Sequence, residues 1–368
     1  DADRNDVTQT GNITTTGDNA QGLRLSGSDS NTTNLTGNIT TTGDTADGLS
    51  LLLSDSNTTN LTGNISTTGA GALGLQLANS DSNTTNLTGN ISTTGDGVGA
   101  SGVFLLLSDS NTTNLTGNIT TTGDGAFGLY LSSSDSNTTN LTGNITTAGT
   151  VGPGLFLAGS DSNTITINGD IITSATDGDS EAILINNSDS NTITLSGKVQ
   201  SLGGDQAISI NSTSQNNTFT FKRGVSFIGG LENNGGATNK LIFDMGKASS
   251  YNLDFDDTSW TMEDASKPIV SGSAKSMGVA DIDNQAHILN RRMDPVNDVL
   301  SERQRLYKAG QRPTGYYIDS YYGHDKRDED YSEISGNAGG MTVGYVLENT
   351  NTPMEVLVNF EVSQDNYG

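Results

Sequence analysis

Apolar and polar residues alternate along most of this chain in short runs, and the runs recur. Thr33, Leu35, Gly37 and Ile39 share one parity, and Leu49 and Leu51 continue it in a second run. Later copies indicate which parity is buried. The Thr33 position becomes Ile165, Ile193 and Phe219, and the Leu35 position becomes Ile167, Leu195 and Phe221, while the alternate positions stay Thr, Asn, Ser or Lys. A period of two with polar punctuation predicts β-strands rather than helices.

The punctuation is itself periodic. The turn Ser-Asp-Ser-Asn places its Asn at Asn31, Asn57, Asn83, Asn111, Asn137, Asn163 and Asn191 and, degraded, at Asn217, giving spacings of 26, 26, 28, 26, 26, 28 and 26. Eight or nine units therefore cover Val7 to about Val225. Gly43, Gly69, Gly95 and Gly123 recur at one corner, and Asp29, Asp55, Asp81, Asp109, Asp135, Asp161 and Asp189 at another. Both residue types suit the sharp dihedrals of turns. One unit cannot bury its apolar face alone, whereas stacked units pair their backbones at ~4.8 Å and form a rod of roughly 40 Å for eight coils. The expected fold is all-β: a parallel β-solenoid of 26–28-residue coils with two or three short strands each. Leucine-rich repeats and propeller blades need other consensus patterns or longer units. The two-residue insertions at Val98–Ser101 and Ala175–Ser180 fall in the Gly/Asp corner and predict local bulges there.

Beyond the repeat, residues 227–275 keep an alternation (Leu241, Phe243; Leu253, Phe255) and contain the one Trp, Trp260, as expected of a segment that closes an open core. The pattern then changes period. Ile282, Ala286, Leu289, Met293, Val296 and Leu300 form a helical stripe, restarted by Asp294-Pro295 and ending near Gly310, so residues 276–312 read as a helical linker. From 313 to 368 strands of about ten residues return. They carry Tyr316 and Ile318; Met341, Val343, Tyr345 and Leu347; and Val356, Val358, Phe360 and Val362. This length, alternation and Tyr content match antiparallel membrane-barrel strands.

A polar Asn/Thr/Gly solenoid over 1–226, its end at 227–275, a linker and Tyr-rich amphipathic strands, in that order, resemble a monomeric autotransporter of the type V secretion class. The resemblance implies a passenger outside a Gram-negative cell, a linker helix threading a barrel lumen, and residues 315–368 as the first strands of the outer-membrane translocator. Such barrels have about twelve strands. The sequence supplies about three, an incomplete barrel, so it reads as a piece of a longer precursor or as part of a barrel completed by something else.

Composition narrows the functional classes. Among 368 residues, 42 are acidic and 17 basic, a formal charge of −25 that disfavours nucleic acid and anionic lipid as partners of the whole surface. Cysteine is absent, which excludes disulfides and thiolate metal sites. No run of ~18 apolar residues occurs, and the start at Asp1 has no leader pattern, so the chain reads as mature and without a membrane helix. No nucleophile–base pair is evident, because the two His residues, His287 and His324, lie in the linker and the first C-terminal strand. The expectation is a non-enzyme without a cofactor. The Asp29–Asp189 column could bridge Ca²⁺, but the nonapeptides of Ca²⁺-binding solenoids are missing and turn capping is the favoured role. Asn-x-Thr/Ser triplets at Asn12, Asn31, Asn34, Asn38, Asn60 and Asn64 match glycosylation acceptors, yet arise readily in an Asn/Thr repeat.

The expected function is therefore that of a surface-displayed adhesin or self-association rod, with host, glycan or neighbouring-cell surfaces or other copies of itself as partners. A structural spacer or surface-layer rod without a ligand is the alternative. An ice-binding solenoid, suggested by the outward column Thr36, Thr62, Thr88, Thr116 and Thr142, ranks below both. One outward column stands out. Successive coils carry Arg24, Ser50, Gln76, Phe104, Tyr130, Phe156 and Leu184, so Phe104, Tyr130 and Phe156 predict an exposed apolar contact stripe.

Overall fold

A computed structural model describes residues 4–174, 180–203, 206–244, 250–252, 259–265, 269–271, 276–279, 315–329, 332–347 and 354–367. The repeat folds as a parallel β-solenoid of nine coils with three strands per coil. In one coil these are Thr58–Thr62, Ile65–Thr67 and Leu75–Ala78. Equivalent strands of successive coils pair in parallel and in register: Leu87 lies between Leu61 and Leu115, and Ile91 between Ile65 and Ile119. Three sheets result, called here first, second and third in the order in which a coil enters them. The first has eleven strands, because Lys240–Asp244 and Thr261–Asp264 extend it, and the other two have nine each.

The run from Thr33 to Ile39, expected as one strand, is two. The chain turns at Gly37, whose φ of +147° is a conformation that side chains avoid, and Thr32–Thr36 and Ile39–Thr41 belong to different sheets. Parity survives the corner, so Leu35 and Ile39 are both buried.

Inside, the inward column Leu35, Leu61, Leu87, Leu115, Leu141, Ile167 and Leu195 is at most 3% exposed, and the Ile39 and Leu49 columns join it in one continuous core. The Thr33 column is also inward. Thr59, Thr85, Thr113 and Thr139 are buried with hydroxyls that have no hydrogen-bond partner, until Ile165, Ile193 and Phe219 take over the position. Toward the end of the solenoid the filling becomes aromatic. Trp260 meets Phe219 edge-on at 5.9 Å, and Phe243 meets Phe221 edge-on at 5.6 Å.

At the corner leaving the second sheet, Thr41 and Thr67 donate to the carbonyls of Ala46 and Ala72. The first inserted corner holds instead a short 3₁₀ turn, Val98–Ala100, and the Thr93 hydroxyl of that coil has no partner. The insertion is thus accommodated locally, as expected. The insertion at 175–179 lies outside the described residues.

Ser250–Asn252, Ile269–Ser271 and Ser276–Val279 form a small separate sheet in which the first and last are antiparallel. The helix expected over 281–310 lies outside the described residues. A second unit contains three antiparallel strands, Gly315–Glu329, Ser332–Leu347 and Met354–Tyr367. At 15, 16 and 14 residues they exceed the ten expected. Apolar side chains marked only part of each strand, whereas backbone pairing continues through polar partners such as Lys326 with Ser335 and Asp328 with Glu333.

Candidate functional site

The turn Asn and Asp columns of the repeat are hydrogen-bonded ladders. The N–H of Asn57 donates to Oδ1 of Asn83, that of Asn83 to Asn111, and that of Asn111 to Asn137, each at 2.8 Å and buried. The Asp column runs in the opposite direction: the N–H of Asp55 donates to Oδ1 of Asp29 at 2.8 Å, and that of Asp81 to Asp55 at 2.7 Å. One carboxylate oxygen of each turn Asp therefore holds the next coil. Among the described residues no group of three or more His, Cys, Asp or Glu is arranged to hold a metal ion. At the neighbouring exposed corner, the N–H of Thr150 bonds Asp124 and holds its carboxyl below the usual range.

The ladders separate the glycosylation-like triplets by accessibility. Asn57 is buried. Asn60, on the outer face of the first sheet, spends its amide N–H on Asn34 at 2.8 Å. Asn64 is exposed at the corner and its Oδ1 accepts the N–H of Asn90. Thr36, Thr62, Thr88, Thr116 and Thr142 are exposed beside the Asn34–Asn60 amide ladder.

The predicted stripe lies on the outer face of the third sheet, where Phe104 pairs in register with Tyr130 and Tyr130 with Phe156. The rings stack, with centroids 4.8 and 4.9 Å apart and planes 12° and 6° from parallel. At that separation near-parallel rings cover one another's faces and turn their edges outward. The stripe, expected to be exposed, is half-buried at all three residues. A fourth ring, Phe127, packs against two of them. It is buried in the corner entering the third sheet and sets its edge against Tyr130 at 4.9 Å and Phe156 at 5.3 Å.

The same corner position carries Asp47 three coils earlier, where the surroundings are polar. Asp47 is 5% exposed, and burial pushes its carboxyl up to about 6 despite the N–H of Leu73 at 2.9 Å, the charge of Arg24 and a hydrogen bond from Gln21. Arg24 Nη1 donates to Gln21 Oε1 at 3.2 Å. Ser50, expected outward, is buried at 1% and donates to Gln76 Oε1 at 2.8 Å. The column thus has a hydrogen-bonded polar stretch and a stacked aromatic one. Sequence reasoning found the aromatic column and missed Phe127 and Asp47. The signal was present: both precede the recurrent glycines Gly48 and Gly128 that open the third strand.

The class defined by this geometry is the three-sheeted parallel β-solenoid. The chain matches no protein-family model, no curated protein and no solved structure.

Proposed function

We propose that this chain is the non-enzymatic passenger of an autotransporter-like outer-membrane protein, a rod displayed at a Gram-negative cell surface that adheres through its side. The observation carrying the adhesive part is the aromatic ladder of Phe104, Tyr130 and Phe156 on an outer sheet face. Apolar surface left on the outside of a strongly acidic chain marks a contact site. The secretion part rests on the order of parts, with long, Tyr-bearing antiparallel strands at 315–367 following a polar solenoid. The spacer alternative differs in needing no such ladder.

The test replaces Phe104, Tyr130 and Phe156 together with Ser in the displayed chain and measures cell-to-cell aggregation and binding to glycan-coated and abiotic surfaces. Loss of adhesion with unchanged far-UV circular dichroism is expected. Unchanged adhesion on every surface would favour the spacer. Proteinase shaving of intact cells tests display, with the solenoid released and the residues from 315 onward protected.

A further inference from the structure

The third-sheet column has a symmetry that sequence order conceals. Read outward from Tyr130 in both directions, Phe104 and Phe156 lie one coil away and stack on it equally. Ser50 and Ser209, both buried, lie three coils away, and Arg24 and Glu232 four coils away. Gln76 and Leu184, two coils away, are the one unlike pair. Arg24 and Glu232 are the two charged residues of the column, they are exposed, and they have opposite signs.

From this pattern we infer that two copies of the chain pair face to face through their third sheets, antiparallel, about a two-fold axis that passes by Tyr130 along the strand direction. The inference rests on the adhesive reading above and names the partner as a second copy. A two-fold interface requires a self-complementary patch, in which residue i meets j and j meets i. In this register Tyr130 meets Tyr130, Phe104 meets Phe156, and Arg24 meets Glu232 twice, while Ser50 and Ser209 stay buried within their own chains. Pairing about an axis along the rod would instead bring Arg24 level with Arg24 and Glu232 level with Glu232, a like-charge arrangement. The ring geometry favours a copy over a sugar. Sugar stacking needs an open ring face, and here the faces are taken by neighbouring rings, leaving edges that suit apolar and aromatic side chains. Charge points the same way. Chains of net charge −25 repel one another, and a column with one positive and one negative residue is where two of them can approach.

The absence of native cysteine makes the register directly testable in the full chain. Ser132, in the Tyr130 coil and on the same outer face, should oppose itself, so Ser132→Cys is expected to form a disulfide dimer on mild oxidation. Leu106→Cys mixed with Ala158→Cys should cross-link to one another more than either does alone. Sedimentation should show that Arg24→Glu and Glu232→Arg each weaken self-association roughly tenfold, since two contacts change sign. The double exchange should restore it, which a merely damaged fold would not do. Association that persists with no Ser132→Cys cross-link, or a double exchange no better than the single ones, overturns the register. A chain that stays monomeric at every concentration overturns pairing itself, even where the Phe104, Tyr130 and Phe156 triple variant still loses adhesion to foreign surfaces. The two readings therefore fail separately.

Discussion

Asn111 and Asn137 stand one coil apart, and the backbone N–H of the first donates to Oδ1 of the second at 2.8 Å inside the protein. The same Asn137 donates its Nδ2 to the carbonyl of Ser108 at 2.9 Å. Asn137→Ala leaves a buried N–H and a buried carbonyl unpaired, at a cost of about 2–4 kcal/mol. Repeat arrays open locally, so amide hydrogen exchange in the flanking coils is the appropriate measurement. Protection should fall there first and persist in distant coils.

The inward and outward positions of one strand should respond very differently. Leu87, 3% exposed, lies in the core column, and Leu87→Asp should cost several kcal/mol by burying an unpaired charge. Thr88, next to it and exposed, should tolerate Ala at under ~0.5 kcal/mol. Equal costs measured by urea denaturation would refute the assigned register.

A gain is expected at Thr85. Its hydroxyl is buried without a partner among apolar columns. Thr85→Val keeps the branched shape and removes the unpaired polar atom, so about 1 kcal/mol of stabilisation is expected, and the same holds for Thr113→Val. The later coils already carry Ile165 and Ile193 at this position. Denaturation midpoints of the two single variants and the pair check it.

Asp47 predicts a defined pH dependence. Its folded pKa, about 6, lies above the ordinary 3.8, so the native state holds the proton more tightly than the unfolded chain. Stability therefore falls as pH rises from about 4 to about 6 and is flat with respect to this group outside that window. The contribution of this group is about 3 kcal/mol at most. Asp47→Asn retains an acceptor for the N–H of Leu73 and should erase this component. Subtracting variant from parent stability at pH 4 and pH 7 isolates it from the other carboxylates.

Much of the solenoid was readable because its signals repeat. A single Thr-Leu alternation is weak, but eight copies at spacings of 26 or 28 residues, drifting toward Ile and Phe at inward positions, identify the face and the stacking. What failed was whatever alternation does not encode. Gly37 keeps the parity of Leu35 and Ile39 while turning the chain into another sheet, so the corner was invisible to a period-two count. Ser50 looked outward by parity and is buried, its hydroxyl bonded to Gln76 of the next coil. Phe127 was missed because it lies in a corner. It sits three residues before Tyr130, off the strand pattern, yet it packs edge-on against two of the ladder's three rings. The C-terminal strands were placed but shortened, since polar residues pair backbones as well as apolar ones do.

The ladders join like to like: Asn to Asn, Asp to Asp, Ser to Ser, always one coil apart. Every coil with this turn therefore offers the same docking edge above and below, whichever coil its neighbour is. Deleting 26 residues, from one turn Asn to the next, would rejoin matching edges and leave no loose polar atom at the junction. Near-identical coding repeats are also prone to unequal recombination. Rod length is thus a property that inheritance can change in single-coil steps, with no new fold to discover at any step.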